Sequence, residues 1–313
     1  MTAHTIKVGL LGGGSAAQVQ RLEELPIDSL WTGGHIASQN ASPEVMMNLA
    51  RLAALTERVT VGTSILLLPL YPPALIAKQV ADLDNVCGGR VVLGVGIGGE
   101  YPQEFRAMQV PIDERGRRAN EAIPLLRRFW TAEPVTHHGR HYDIEDVRIH
   151  PAPVQTFGPP IVVAGRRELA MRRAAMLGDG WFPYLYSPRR YAKSVATIER
   201  IAAEEGRDLA GFQWIVWLFV NIDRDGDVAR EAAARTMSGT YDQDFRKMID
   251  SVAAVGTAAE VTAKLVEFYD AGARHFVLNP VTFGADPRPV LDVLLDEVMP
   301  AVREHAAAGR GGA

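Results

Sequence analysis

Arg90-Val91-Val92-Leu93-Gly94-Val95-Gly96-Ile97-Gly98-Gly99-Glu100 is a run of apolar, β-branched residues that passes directly into a glycine-rich loop. Its Gly94-x-Gly96-x-x-Gly99 spacing matches a dinucleotide-binding turn, in which bare backbone approaches a phosphate. Position in the chain speaks against that use. The segment is the fourth strand-like run, not the first, and Glu100-Tyr101-Pro102-Gln103-Glu104-Phe105 does not read as a phosphate-binding helix. The alternative is a strand that ends, with several others, at a shared mouth able to receive a flat cofactor.

Outward from this stretch, short apolar runs alternate with longer helical patterns. Strands are predicted at Lys7–Leu11, Ser29–Trp31, Val59–Leu66, Val91–Val95, Ile161–Ala164, Gly180–Phe182, Trp214–Asn221 and His275–Leu278. Ser42 reads as a helix cap before Pro43, and Pro72-Pro73 start a helix that Gly88-Gly89 stop. Glu168–Leu177 ends at Gly178, and Thr257 caps Ala258–Ala271. Strand–helix alternation implies parallel pairing with right-handed crossovers. Eight such units predict an α/β fold of the (β/α)8 barrel (TIM barrel) class, with insertions after strands four and seven at Glu133–Gly158 and Asp223–Gly256. Residues 1–305 are expected to form one barrel domain and 306–313 a flexible tail.

Composition sets limits on function. The chain has 313 residues, 47% of them hydrophobic, and a formal charge of -4, so no global field favours nucleic acid or an anionic membrane. One cysteine, Cys87, excludes an internal disulfide framework and fits a reducing compartment. The first residues lack the layout of a signal peptide, and no apolar run approaches the ~18 residues of a membrane span. A cytoplasmic protein with no nucleic-acid or membrane partner is expected.

In this fold class, sites form at the C-terminal ends of the strands. The sequence places Gly12-Gly13-Gly14-Ser15 after strand one, Trp31-Thr32-Gly33-Gly34-His35 at strand two and Gly96–Glu100 at strand four. Ala164-Gly165-Arg166-Arg167 follows strand five, and Trp181-Phe182-Pro183-Tyr184 closes strand six. The glycines leave room for a broad ligand, and the aromatics offer stacking surfaces. Arg166 and Arg167, at a helix start, combine guanidinium groups with backbone donors suited to a phosphate. A flat ring plus a phosphate describes a flavin-type cofactor.

These residues resemble the bacterial luciferase-like superfamily of flavin- and coenzyme F420-dependent oxidoreductases. The matching stretches are Val61-Gly62-Thr63-Ser64-Ile65, Ile76-Ala77-Lys78-Gln79 and Gly89–Gly96. Glu114-Arg115 through Arg128-Phe129-Trp130, Gly178-Asp179-Gly180-Trp181 and Asp270-Ala271-Gly272-Ala273 complete the set. The resemblance implies that His35 contacts the cofactor–substrate zone and that Ser64-Ile65 form a cis-peptide bulge backing the ring. It also implies that Gly165, Arg166 and Arg167 hold the cofactor phosphate. The cofactor-binding set expected from it is Gly12, Ser64, Ile65, Gly96, Gly98, Gly165, Arg166, Arg167 and Trp181. His35 and Glu100 are the catalytic candidates, with Tyr184 and Tyr186 in reserve; Glu100 reads equally as part of a rim salt bridge.

The cofactor implied is coenzyme F420, exchanging a hydride with an organic, hydrophobic or cyclic substrate. The alternative is FMN in a two-component monooxygenase served by a separate reductase. A non-catalytic flavin-binding protein is the third reading. Arg166, Arg167, Arg172 and Arg173 are candidates for a basic groove along the acidic F420 tail. A homodimer through the early helices is usual in the family. Sugar-phosphate dehydrogenases of the family carry a glutamate where this chain has Gly99, which argues against a sugar phosphate.

The remaining constellations read as structure. His137-His138-Gly139-Arg140-His141 suggests a loop or hairpin, and no metal is expected. Asp223-x-Asp225-Gly226-Asp227 lacks the twelfth-position glutamate of a calcium loop and reads as a turn.

Overall fold

The computed structural model describes residues 5–38 and 41–309. The fold is α/β, of the (β/α)8 barrel class, and all eight predicted strands form with parallel pairing. Two compact units divide the chain: Leu11–Phe182 with Ile201–Gln213, and the chain up to Leu10 with Pro183–Arg200 and the residues from Trp214 onward.

In the first unit, the strands Ser29–Thr32, Thr60–Thr63, Val91–Gly96, Ile161–Val163 and Gly180–Trp181 lie side by side in chain order. Registers such as Leu30 on Val61, Val61 on Val91 and Leu93 on Ile161 put continuous apolar runs in the ladder. Both faces of these strands are covered, as burial of every residue of Val91–Gly96 shows. Pro73 sits in the first turn of the helix Pro73–Val86, as its fixed φ suits.

Strand three departs from the sequence expectation. The run Val59–Leu66 reads as one continuous strand, yet the strand ends at Thr63 and resumes at Leu66–Leu67, with a cis peptide between Ser64 and Ile65. The second piece pairs with strand four through Leu66 on Val95 and Leu67 on Gly96. Across the gap, the Thr63 hydroxyl donates to the Gly94 carbonyl at 2.6 Å, a side chain standing in for a ladder bond.

Two local expectations are corrected. Glu44 caps the helix Val45–Leu55, accepting from the Met47 amide at 2.8 Å. Ser42 turns back to accept from the His35 amide instead. The strand-end aromatics are core. Trp31 fills the space over Gly62, where a Cβ would lie 2.5 Å from its ring, and it packs on Phe182 at 4.8 Å. Trp31, Trp181 and Tyr186 are fully buried, and Phe182 nearly so.

In the second unit, His275–Pro280 pairs with Lys7–Leu11 on one side and Gln213–Ile222 on the other. The insertion after strand seven is largely helical, as its pattern predicts: Gly226–Tyr241 and Ile249–Val252, followed by a short strand Ala254–Gly256. Asp225 caps the first of these helices, so the aspartate-rich stretch is a turn. The insertion after strand four contains an antiparallel hairpin, Val135–His138 with Asp143–Val147. Its anchor is Glu121, which accepts from His137 Nε2 at 3.0 Å and from the Tyr142 amide at 3.0 Å.

The last helix, Met299–Ala308, includes the first residues expected to fray, because Ala306 is buried. Residues 310–313 lie outside the described residues. Among the described residues no helix is long and apolar enough to cross a membrane.

Candidate active site at the strand ends of the first unit

His35 follows strand two and leaves just over a quarter of its side chain exposed, 28%. Its Nδ1 lies 3.2 Å from each carboxylate oxygen of Glu104, a fully buried residue. Glu104 also accepts from the backbone amides of Ile36 at 2.7 Å and Ala37 at 3.3 Å. An ionised carboxylate has only acceptors, so the proton belongs on Nδ1 and Nε2 is left bare. Tyr101 meets the imidazole edge to face at 4.8 Å, fixing the ring plane. An imidazole held in this way by a carboxylate can act as a general base.

The carboxylate beside His35 is therefore Glu104 and not Glu100, which is exposed on the rim. Glu104 lies in the first turn of the helix Pro102–Ala107, where the helix dipole favours negative charge. Pro102 at the first helical position was the readable signal for that helix.

The floor is built from close approaches. The Ser64 amide donates to the Thr32 carbonyl at 2.6 Å, and a Cβ on Gly33 would lie 2.5 Å from the Ser64 carbonyl oxygen. A Cβ on Gly96 would lie 1.9 Å from Ile65 Cδ1, so glycine there lets Ile65 spread across the strand end. Gly98 packs in the same way against Leu67. Gly12 is buried, its amide bonded to the Trp31 carbonyl, whereas a Cβ on Gly13 would meet open space. Asn48 ties this side together by donating to Thr32 Oγ1 at 2.7 Å. The Ser64 hydroxyl is buried and without a hydrogen-bond partner.

At the other end, Gly165 takes φ of +135°, open to glycine, with Ala170 tight against it. Arg166 and Arg167 are exposed where the helix Glu168–Leu177 begins. Trp181 is an expected cofactor contact, yet it is buried and donates its indole N–H to the Gly165 carbonyl at 3.2 Å, supporting the turn from beneath.

Arg172 and Arg173 do not line a groove. Arg172 pairs with Glu205 at 2.6 Å, and Arg173 is buried against Asn120 Oδ1 at 2.6 Å and the Gly116 carbonyl at 3.0 Å. Burial pushes Arg173 down to about 10, which leaves it charged at neutral pH.

Sequence reading overlooked Arg115. Its guanidinium lies beside Gly99, with Nη1 donating to the Ile112 carbonyl at 2.6 Å. Its Nε is buried and unpartnered. An unpaired Ser64 hydroxyl on a glycine floor and an unpaired Arg115 donor at the loop edge fit a flat ring with an anionic group.

The histidines of the hairpin are each paired with a carboxylate: His137 with Glu121, His138 with Asp143 and His141 with Glu114. No group of three or more potential metal ligands occurs among the described residues.

Residues 14–275 match the family model for luciferase-like monooxygenases. An uncharacterized protein of Mycobacterium tuberculosis is 37% identical over 164 residues, covering 52% of this chain and 56% of that one. The chain thus spans about half the length of the first curated relatives it matches. An F420-dependent glucose-6-phosphate dehydrogenase of Microbacterium testaceum is 26% identical over 91% of this chain and 92% of its own. Among solved structures, an F420-dependent secondary alcohol dehydrogenase in complex with an F420-acetone adduct shares the fold. Its TM-score is 0.82 at 21% identity, covering 95% of this chain and 99% of that one.

Proposed function

The chain belongs to the luciferase-like monooxygenase family, and we propose that within it the protein exchanges a hydride between coenzyme F420 and a neutral, apolar alcohol or carbonyl compound. It is an oxidoreductase of the F420- or FMN-dependent kind, with F420 prevailing among the named relatives. The observation that carries the narrower reading is the His35–Glu104 pair. Hydride transfer to or from a carbon–oxygen bond moves a proton at the oxygen, and a bare imidazole nitrogen on an oriented ring can take it.

A bound deazaflavin would supply a two-electron hydride donor or acceptor. The chain does the rest. His35 Nε2 accepts or returns the oxygen-borne proton, and Glu104 holds Nδ1 and stabilises the cationic ring. Ser64, Ile65, Gly96 and Gly98 back the ring, with Gly12 at the strand-one edge; Gly165, Arg166, Arg167 and Arg115 hold the phosphate. Around His35, the neighbours Ile36, Ile65 and Tyr71 pack on Leu67, Leu70 and Phe105, an apolar lining that favours an uncharged substrate. Glu100 serves as a rim residue.

The FMN reading keeps the same residues and adds a separate reductase. Arg115 and the Gly165 turn favour it equally, since FMN also carries a phosphate. Exposed Met47 and Leu75, on the helices Val45–Leu55 and Pro73–Val86, support a homodimer through those helices. The single cysteine, Cys87, is free and buried, which suits the cytoplasm.

Titration of the purified protein with oxidised F420 and with FMN, followed by tryptophan quenching, tests the proposal. Tight F420 binding with weak FMN binding is expected. The reverse preference makes the protein a monooxygenase component, and binding of neither removes the cofactor assignment.

A further inference from the structure

The connection after strand two carries His35 and ends at Glu44, the cap of the helix Val45–Leu55. It folds back on itself. The His35 amide donates to Ser42 Oγ at 2.9 Å, and a Cβ on Gly34 would lie 2.0 Å from the Pro43 carbonyl oxygen. The backbone of Gly34 and His35 thus rests against the two residues that precede Glu44. Where Glu44 is held decides where the His35 side chain starts.

Glu44 is held by Tyr71. The Tyr71 hydroxyl donates to Glu44 Oε1 at 2.8 Å, while Oε2 takes the Met47 amide, also at 2.8 Å. One oxygen caps the helix and the other reaches the segment after strand three. The Tyr71 ring is half-buried and packs, as Ile36 does, on the cluster of Leu67, Leu70 and Phe105. Burial, the Glu44 hydrogen bond and the charges of Glu44 and Glu104 push the phenol well up, so it remains a donor at any working pH. Tyr71 therefore lies within electrostatic reach of both carboxylates that support the connection. Glu104 grips the imidazole and the amides of Ile36 and Ala37, and Glu44 takes the hydroxyl.

We propose that Tyr71 is a positioning residue for His35: through Glu44 it fixes the backbone from which the imidazole projects, as Glu104 fixes the ring. The catalytic meaning of this role rests on the reading of His35 as the base. Two anchors achieve what one cannot. A carboxylate on Nδ1 sets the tautomer, but the place of Nε2 also depends on the backbone, and a misplacement of about 1 Å can cost on the order of 10²-fold in rate.

The test uses two NMR readouts on the cofactor-free protein, amide exchange and the nitrogen signals of the His35 ring. Tyr71→Phe keeps the aromatic ring and removes the hydroxyl. Glu44→Asp keeps a good helix cap and is one methylene too short for Tyr71. In both variants the His35 amide should exchange roughly 5- to 20-fold faster, as expected for the loss of one charge-assisted hydrogen bond. Ile36 and Ala37, held by Glu104, should change less, and the core amides of Val91–Gly96 not at all; a general loss of stability would speed them all. Near pH 8 the native ring should carry its proton on Nδ1 alone, and both variants should show roughly a tenth or more of the Nε2–H form. The double variant should match either single one, because both break the same bond. A native exchange rate at His35 in Tyr71→Phe would overturn the proposal, and so would an unmixed Nδ1–H ring. An effect in Tyr71→Phe with none in Glu44→Asp would overturn the route through Glu44. Neither readout involves a cofactor, so failure to bind F420 and FMN would remove the oxidoreductase reading while the hold on His35 is judged separately.

Discussion

Glu104 presents both carboxylate oxygens to His35 Nδ1 at 3.2 Å, although the two residues come from different strand-end loops. The same carboxylate collects the amides of Ile36 and Ala37, so ring tautomer and loop backbone are set by one buried charge. His35→Ala should lower turnover about 10²- to 10⁴-fold with cofactor affinity near the native value. Steady-state rates beside a cofactor titration check this; unchanged turnover would remove His35 from the reaction. Glu104→Gln should lower turnover about 10- to 100-fold and also destabilise the loop, because an amide cannot accept all of these donors.

Glycines in one strand differ in what they tolerate. A Cβ on Gly94 would lie 2.0 Å from the Thr63 carbonyl oxygen, a backbone atom that cannot rotate away. Gly94→Ala should cost about 2–3 kcal/mol. At Gly96 the obstacle is the tip of the Ile65 side chain, which can turn. Gly96→Ala should therefore cost less stability and weaken cofactor binding more. Urea denaturation and cofactor titration on both variants separate the two effects.

Arg115 offers a test of the phosphate end. Its unpartnered Nε beside Gly99 predicts that Arg115→Gln weakens FMN and F420 binding, with little effect on the phosphate-free analogues. Arg166→Glu should weaken the phosphorylated cofactors in the same selective way. Equal losses for the phosphate-free forms would show that these residues shape the site and do not meet the phosphate.

Acid stability has a named contributor in His275. Burial, with the Lys7 charge as a smaller cause, pushes its imidazole down to about 3 from an ordinary value of 6.5. Between those values the unfolded chain binds a proton that the folded chain refuses, so stability falls as pH is lowered through this window. His275→Gln should flatten that limb. Urea midpoints measured near pH 7 and near pH 5 on both proteins give the slope.

The barrel was legible because parallel strands buried on both faces write themselves as apolar runs, as Val91–Val95 and Trp214–Asn221 do. The break in strand three was not legible from periodicity, because β-branched and apolar residues suited to a strand stand on both sides of the gap. Only the resemblance marked Ser64-Ile65 as a bulge. Glu104 was not legible because it lies on the short helix that Pro102 begins, whereas Glu100 adjoins Gly99 in the sequence. The strand-end aromatics misled for a related reason: Gly62 opens space inside the wall, and Trp31 turns into it. Burial of Arg173 left no trace in the sequence, since nothing in the pattern of Glu168–Leu177 distinguishes it from Arg172.

The hairpin after strand four meets the helix Arg115–Phe129 through Glu121, which gathers a ring nitrogen and the amides of the connecting turn. An insertion moored by polar side chains at one helix and its start, Glu114, Glu121 and Arg128, is a natural seam for grafting. A foreign hairpin that brings its own pair of amide donors to Glu121 should seat without recutting the barrel, which makes this segment the place to build chimeras between relatives.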